Sequence, residues 1–291
     1  MDLTQLEVFA TVAAEGSVTA AAEKLHRVPS NISTRIRQLE DELGTLLFHR
    51  EKLRLHISDQ GKTFLSYALR ILALAEEAKQ SVSGQRPMGI FTLGSIESTA
   101  AVRIPPVLAR YHQAYPSVEL DLSTGPSGDM IEGMLSGRFS AAFVDGPPRH
   151  PELDGVAVFD EEMVLIAALN HPPIQRAQDI SGATIYAFRA NCAYRRLFEN
   201  WFAEDQAVPG KIYEMESYHG ILACVTAGAG LALIPASMLE NMPGKTGVHA
   251  YPLANEMGKL QIWLMWRKGQ TSANLQAMVD LLAEKEASAR V

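Results

Sequence analysis

Residues 30 to 37 bring together side chains suited to reading the edges of DNA bases. Ser30, Asn31, Ser33 and Thr34 offer short hydroxyl and amide groups, and Arg37 adds one long cation. Short hydrogen-bonding groups beside a cation suit a surface pressed into a major groove, where base edges present donors and acceptors. The chemistry indicated is recognition of nucleic acid by hydrogen bonds.

A helix must present this set of side chains. Ile32, Ile36, Leu39 and Leu43 recur at steps of four, three and four, which predicts one buried stripe of an amphipathic helix. Pro29 suits the first turn, because its missing N–H costs nothing there and its fixed φ favours helix entry. We therefore expect the helix to begin near Pro29.

A second, Ala-rich helix is predicted just before it. Ser17 is a suitable N-cap, and the small residues up to Leu25 permit close helix crossing. The pair matches a helix-turn-helix, although a helical hairpin that binds no nucleic acid has the same pattern. The candidate DNA contacts here are Ser17, Pro29, Ser30, Asn31, Ser33, Thr34, Arg35 and Arg37.

A cationic hairpin follows the two helices. Residues 48–57 are predicted to form two short strands of a wing. Its side chains Arg50, Lys52 and Arg54 are expected to bind the phosphates of the DNA backbone. The net charge of −7 disfavours DNA binding, yet eight Lys or Arg stand against five acids from Lys24 to Lys62. The positive field is therefore expected to be local.

Length and composition limit the class of protein. A chain of 291 residues predicts two or more domains, and 47% hydrophobic with 20% charged residues is typical of a globular protein. No apolar run approaches a membrane span and the polar, amphipathic N-terminus lacks a signal-peptide h-region, so we expect no membrane partner. Two cysteines form no disulfide framework, which favours a cytoplasmic location.

A long helix is predicted to link two unlike halves. Ser58 is a suitable N-cap, and the helix should extend to about Ser83. Its heptad seam indicates pairing with another helix, although packing against its own domain gives the same pattern. Residues 83–89 then predict a hinge. The seam consists of Phe64, Ala68, Ile71, Ala75, Ala78 and Val82, widened by Leu65, Leu69 and Leu72.

The second half alternates short apolar runs with helical patterns, as expected for α/β units around largely parallel sheets. Strands are predicted at Ile90–Ser95, Val118–Ser123, Ala141–Asp145, Met163–Ala168, Thr184–Phe188 and Gln261–Trp266. Helices are predicted at Val102–Tyr115, Ser127–Ser136, Ala193–Phe202 and Gly220–Ala227.

Ligands of open α/β sheets bind beyond the carboxyl ends of the strands. Hydroxyls and N–H groups there suit a carboxylate, whereas Glu97 and Asp145 at the same level suit an amine. We expect an amino acid or a polyamine derivative, the alternative being that the hydroxyls only cap helices and the acids face solvent. The candidate effector contacts are Ser95, Glu97, Ser98, Thr99, Thr124, Gly125, Pro126, Ser127, Asp145, Arg189, Asn191 and His219.

Catalytic and metal-binding patterns are not found. The sequence contains no Gly-x-Ser-x-Gly elbow, phosphate loop or His-Glu-x-x-His site, and no cofactor is expected. The alternative is a binding protein that does not bind DNA, and the cations of the predicted wing disfavour it. Cys224 is expected to be a buried thiol, whereas Cys192 stands near a helix start where a thiolate is stabilised, so a redox-responsive regulator stays open.

Several motifs resemble the LysR-type transcriptional regulators along nearly the whole chain. They are Leu39-Glu-Asp-Glu-Leu-Gly44 with Leu47-Phe-His-Arg50, Tyr115-Pro-Ser-Val-Glu-Leu120, and Val225-Thr-Ala-Gly-Ala-Gly-Leu-Ala-Leu-Ile-Pro235. The resemblance implies a mixed α/β protein whose promoter binding and DNA bending are controlled by a small-molecule effector. It implies no enzyme activity.

The resemblance also implies an architecture. A winged helix-turn-helix would occupy 1–58, a dimerising linker helix and hinge 59–88, and a two-lobed α/β effector domain like a periplasmic binding protein 89–291. Lobe I would comprise about 89–161 and 267–291, and lobe II about 162–266. Such proteins assemble as homodimers through the linker helix, and as tetramers on bent double-stranded promoter DNA.

Two positions depart from the family pattern. Pro29 stands where the family commonly has Gln, so that base contact is not carried over, and Ser140 replaces a common acid. Residues 27–31, 123–128 and 186–192 are similar to the branch containing the putrescine-utilisation regulator. That similarity predicts an effector from putrescine or 4-aminobutyrate catabolism.

Overall fold

The computed structural model describes residues 1–51, 54–82, 86–253, 257–270 and 272–289. Its N-terminal region consists of four helices and a two-stranded hairpin. These elements are α1 (Leu3–Glu15), α2 (Val18–Lys24), α3 (Pro29–Leu43), β1 (Phe48–Glu51), β2 (Arg54–Ile57) and α4 (Asp59–Val82).

The remaining elements alternate strands with helices. They are β3 (Gly89–Ser95), α5 (Glu97–Val102), α6 (Pro105–Ala114), β4 (Val118–Thr124), α7 (Ser127–Leu135), β5 (Ala141–Asp145), β6 (Leu153–Ala168), β7 (Ile185–Ala187), α8 (Ala193–Glu204), β8 (Ile212–Glu214), α9 (Tyr218–Thr226), β9 (Leu231–Pro235), α10 (Ala236–Glu240), β10 (Val248–Pro252), β11 (Lys259–Arg267) and α11 (Ala273–Ala289). Short 3₁₀ turns cover Ala177–Ile180 and Lys245–Gly247.

Capping and glycine chemistry set the ends of the first helices. Ser17 Oγ accepts the Ala20 N–H at 3.4 Å, and α3 begins at Pro29 as the sequence predicts. Gly16 and Gly44 end α1 and α3 with φ of 62° and 67°, values that a residue without a Cβ adopts readily. Local sequence therefore determines where α3, the helix predicted to contact DNA bases, begins and ends.

The buried stripe of α3 is one turn shorter than expected. Ile32, Ile36 and Leu39 are buried, whereas Leu43 is 37% exposed, so its place in the stripe is wrong. The last turn of α3 extends past the small core. Glu40 Oε1 instead connects α3 to the wing, by accepting the Leu47 N–H at 2.7 Å.

Some apolar residues of helix α4 pack on the N-terminal core, and others are exposed to solvent. Ser58 Oγ accepts the Gly61 N–H at 2.8 Å, which confirms the cap. The Phe64 ring lies 5.3 Å from that of Phe9, so the first turns pack on the N-terminal core. Further along, Ile71 is 37% and Leu74 is 65% exposed. The seam residue Ile71 and the neighbouring Leu74 therefore face outward in the single chain.

Two lobes share one strand. In lobe I, β3 lies parallel to β4 and β5, and β11 joins β5 to β6 through antiparallel pairs. In lobe II, the end of β6 pairs antiparallel with β9 and β10, and β7 lies parallel to β8 and β9. The expected largely parallel sheets are in fact mixed, because β6, β10 and β11 run against their neighbours.

Strand β11 corrects one domain boundary. Residues 162–266 were predicted to form lobe II. In the structure, however, Ile262 pairs with Asp145 of β5, and the whole of β11 lies in the sheet of lobe I. The chain therefore returns to lobe I before Lys259 and not at 267. Cross-strand pairing between segments far apart in sequence decides this, which local patterns do not predict.

Three other element predictions differ from the structure. The helix predicted at Val102–Tyr115 is interrupted at Arg103 and Ile104, since Pro105 starts a new helix. The strand predicted at Met163–Ala168 is the end of a 16-residue strand. The predicted bounds also omitted the strands β8, β9 and β10 and the helices α1, α5, α10 and α11.

Candidate functional site

The outer face of α3 is polar and exposed. Ser30, Asn31, Thr34 and Arg37 lie on the surface, and Ser33 is half-buried beside them. Thr34 Oγ1 donates to the Ser30 carbonyl at 2.9 Å, so its oxygen is left to accept hydrogen bonds. Arg37 is the long cation that this face presents.

Arg35 belongs to a different part of that helix. Its Nε donates to Asn31 Oδ1 at 3.2 Å, and its Nη1 lies 3.9 Å from Asp2 Oδ2. Ser17 caps α2 and Pro29 begins α3, so each of these residues defines the start of a helix. We infer that these residues position the reading face, and their DNA contacts stay predictions.

The wing exists as a hairpin. Phe48 pairs with Ile57 and Glu51 with Arg54 in an antiparallel ladder. The backbones of Arg50 and Arg54 lie in its two strands. Lys52 lies outside the described residues.

A cavity of about 280 Å³ lies between the lobes. Lobe I supplies the ends of β3 and β4 with the starts of α5 and α7, and lobe II supplies the loops after β7 and β8. Seven of the predicted effector residues line it, namely Glu97, Ser98, Thr124, Gly125, Pro126, Ser127 and Arg189.

The other five predicted effector residues lie outside the lining. Ser95 and Thr99 are buried in lobe I, and His219 is exposed. Asp145 accepts a hydrogen bond from Ser127 Oγ. Asn191 Nδ2 donates to Asp129 Oδ1 at 3.0 Å. Asp145 and Asn191 therefore hold lining residues in place and do not themselves form the wall.

Seven further residues that line the cavity were not predicted from the sequence. Asp129 is an acid in the first turn of α7, a position that helix electrostatics favours. Tyr218 directly follows the Ser217 cap of α9. These local features mark helix starts without indicating a cavity. The missed set is Ile96, Asp129, Phe188, Cys192, Tyr194, Glu216 and Tyr218.

The walls of the cavity are acidic. Burial raises the pKa of Glu97, Glu216 adds to the rise, and His219 opposes it. Glu97 Oε2 is buried without a hydrogen-bond partner among the described residues. Arg189 forms an ion pair with Glu216, and this lowers the pKa of Glu216. Thus the lining contributes three carboxylates and one cation that is already paired.

Two tyrosines form the buried end of the cavity. Burial raises the pKa of Tyr194 and of Tyr218, and both rings pass from lobe II towards Ser98 of lobe I. The Tyr194 hydroxyl has no hydrogen-bond partner within the described part of the chain. Both rings and Glu97 line the same cavity.

Cys192 lies in the cavity wall, and its surroundings do not favour a thiolate. Burial raises its pKa, outweighing the N–H groups of Arg195 and Tyr194 that lower it. The stabilised thiolate expected at this helix start is therefore wrong, because desolvation dominates. Cys224 is half-buried in α9.

Ser140, which stands where the family pattern commonly has an acid, forms hydrogen bonds with Thr92. Its N–H donates to Thr92 Oγ1 at 3.0 Å, and the two hydroxyl oxygens lie 3.1 Å apart. A pair of hydroxyls thus connects this turn to β3.

The described residues contain neither a helix suited to spanning a membrane nor a cluster suited to a metal ion. None of their helices is both long and apolar enough to cross a bilayer. Among those same residues, no group of three His, Cys, Asp or Glu side chains is arranged to hold a metal ion.

Comparison with known families assigns both halves of the chain. Residues 3–62 match the bacterial regulatory helix-turn-helix protein, lysR family. Residues 84–287 match the LysR substrate binding domain.

Curated relatives cover almost the full chain. The HTH-type transcriptional regulator GltR of Bacillus subtilis (strain 168) is 35% identical over 269 residues, 92% of this chain and 91% of that protein. The HTH-type transcriptional regulator SoxR of Arthrobacter sp. (strain TE1826) is 30% identical over 292 residues, 100% of this chain and 99% of that protein. No branch is singled out, so the putrescine branch stays a prediction.

Solved structures share the fold. A full-length OxyR variant from Pseudomonas aeruginosa superposes with a TM-score of 0.74 at 19% identity, covering 97% of this chain and 94% of that one. Full-length CbnR complexed with its target DNA gives 0.67 at 21% identity, with coverage of 98% and 99%.

Proposed function

The chain belongs to the LysR family of DNA-binding transcriptional regulators, and from this membership we propose that its effector domain binds a small molecule bearing an ammonium group. The family is not enzymatic. The cavity between the lobes is the proposed site.

One observation carries the proposal. Glu97 is a half-buried carboxylate in the cavity, and one of its oxygens lacks a partner among the described residues. A buried carboxylate is costly unless a cation or hydrogen-bond donors meet it. Asp129 and Glu216 add negative charge nearby, and Arg189 is held by Glu216. A ligand with an ammonium group supplies what these walls lack.

A carboxylate on the same ligand would suit the opposite wall. The loop from Thr124 to Ser127 leads into α7, whose first-turn N–H groups favour an anion. An amino acid such as 4-aminobutyrate suits both walls, whereas a diamine such as putrescine suits the acidic residues alone. Metabolites of putrescine and 4-aminobutyrate catabolism are therefore our preferred effectors.

Control of DNA binding follows from differential affinity. A ligand shifts the protein only if it binds one lobe geometry more tightly than another. We propose that closure on the effector changes the arrangement of DNA-binding pairs in a homotetramer built from α4-linked dimers, and so alters promoter bending. Because its target is promoter DNA, we propose that the protein acts in the cytoplasm.

Calorimetry of the full chain tests the ligand class. Putrescine, 4-aminobutyrate and glutamate are titrated beside glutarate, a dicarboxylate without an amine. We expect binding by at least one amine, and a loss of about tenfold or more in its affinity in Glu97→Gln, a difference of about 1.4 kcal/mol. Glu119→Gln, on the exposed side of β4, is the matched control. Absence of heat from every amine refutes the proposal.

A further inference from the structure

A buried carboxylate stands where the chain crosses between the lobes. Glu161 lies on β6, whose residues 153–162 pair with β11 of lobe I and whose next residues, 163–166, pair with β9 of lobe II. Its side chain is only 4% exposed. It lies outside the effector cavity.

Each lobe provides one partner for this carboxylate. From lobe II, Ser237 at the start of α10 donates its hydroxyl to Glu161 Oε2 at 2.5 Å and its N–H to Oε1 at 3.3 Å. From lobe I, Arg103 Nη2 lies 3.6 Å from Glu161 Oε2 and donates to the Asp160 carbonyl at 3.1 Å. Arg103 and Ser237 thus meet through one side chain.

We propose that Arg103, Glu161 and Ser237 form an interlobe clasp that sets the angle between the lobes. A buried carboxylate is tolerated only while its cation and hydrogen-bond donors stay in place. Rotation of either lobe separates Glu161 from one partner and leaves its charge less compensated. The clasp therefore favours one lobe geometry over others.

Helix α5 connects the clasp to the effector cavity. It begins with Glu97, which lines the cavity, and Arg103 caps its other end, with its N–H donating to the Thr99 carbonyl at 2.9 Å. Glu97 and Arg103 are about 9 Å apart along the helix axis. A ligand that moves Glu97 moves Arg103 with it. This last step, and the use of a DNA footprint to report lobe geometry, rest on the proposed function, whereas the contacts of the clasp do not.

A ligand-free experiment tests the clasp. The full chain is footprinted on a DNA fragment that the wild-type protein selects from a random library. We expect Arg103→Ala and Ser237→Ala each to shift or resize the protected region by about 10 base pairs, one helical turn. The double variant should match the single ones, because each releases the same clasp. Arg103→Lys should restore the wild-type footprint.

Two further variants separate this role from simple stabilisation. Arg176→Ala breaks an ion pair with Asp205 that lies within lobe II, and its footprint should be that of wild type. Glu161→Gln keeps the side-chain shape and removes the charge, so it should give the altered footprint even if one alanine variant fails to fold.

Two results would overturn the clasp. One is a wild-type footprint in every folded variant with only a lower unfolding temperature. The other is additive footprint changes in the double variant. Because no ligand is added, the calorimetric result for amines leaves this outcome untouched.

Discussion

Asn191 Nδ2 donates to Asp129 Oδ1 at 3.0 Å, and this hydrogen bond joins the two lobes at the effector cavity. Asp129 lines the cavity from α7 of lobe I, and Asn191 approaches from the loop before α8 of lobe II. The same contact brings the Asn191 Cβ within reach of Gly128, where an added Cβ would meet it at 3.7 Å. One side of the cleft is thereby closed in the single chain.

Asn191→Ala should loosen this closure. Loss of about 1 kcal/mol of hydrogen-bond free energy should lower the unfolding midpoint of the effector domain by about 2–4 °C. Trypsin should also cleave faster after Arg189, on the same loop. Asn241→Ala, which removes a 2.8 Å bond to the Ser237 carbonyl within lobe II, is the control. Unchanged cleavage in Asn191→Ala would contradict the closing role.

Glu97 should make both stability and ligand affinity depend on pH. Its folded-state pKa is raised above the ordinary 4.5, chiefly by burial. The charged form is therefore disfavoured in the folded protein, and stability is lost as pH rises from about 4.5 through the raised pKa. Glu97→Gln should remove this loss, as thermal unfolding across pH would show.

The affinity for an ammonium ligand should have the opposite trend. An ammonium stabilises the Glu97 carboxylate, so calorimetry of 4-aminobutyrate should show affinity rising with pH through the same window, by at most about tenfold per unit. Since His219 opposes the rise in the Glu97 pKa, His219→Gln separates its contribution. The same slope in Glu97→Gln as in wild type would exclude Glu97 as the anchor.

Arg37 and Lys52 should contribute differently to DNA binding. Arg37 lies on the exposed face of α3, so Arg37→Ala should cost about 1–3 kcal/mol and relax specificity at one base position. Lys52→Ala should weaken binding to all sequences and lower the salt slope by about one. Gel shifts over a set of operator variants and salt concentrations measure both. Equal losses on every sequence for both variants would refute this division.

Leu74 should support dimerisation through α4. It is 65% exposed in the single chain and lies one turn from the exposed seam residue Ile71. Leu74→Glu should place a charge in that interface, giving monomers by sedimentation and weak specific DNA binding. Ala73→Glu, an exposed position about 100° away around the helix, is the control. Dimers in both variants would show that α4 pairs elsewhere.

Cys192 should react slowly. Burial raises its pKa, so little thiolate is present at neutral pH. We expect alkylation slower than that of free cysteine and increasing towards alkaline pH, and unchanged DNA affinity after peroxide. Rapid sulfenic acid formation at pH 7 would restore the redox alternative.

Much of the site was predictable because it follows from strand ends. Glu97 and Ser127 begin helices that follow strands, Thr124 ends β4, and Arg189 comes two residues after β7. The sheet brings such positions together. Tyr194 was not predictable in this way. Its aromatic side chain on α8 has the pattern of an ordinary core residue, and its approach to Ser98 depends on how the lobes meet.

The sequence by itself determined the local elements and the family. Ser17, Pro29 and Ser58 mark helix starts through hydrogen bonds or backbone geometry within a few residues, so their effect can be predicted without a tertiary fold. Only the tertiary structure decided where β11 lies and that Glu161 meets Arg103 and Ser237. Those contacts join residues far apart in the chain, and packing of whole lobes selects them over other pairings that the local sequence permits.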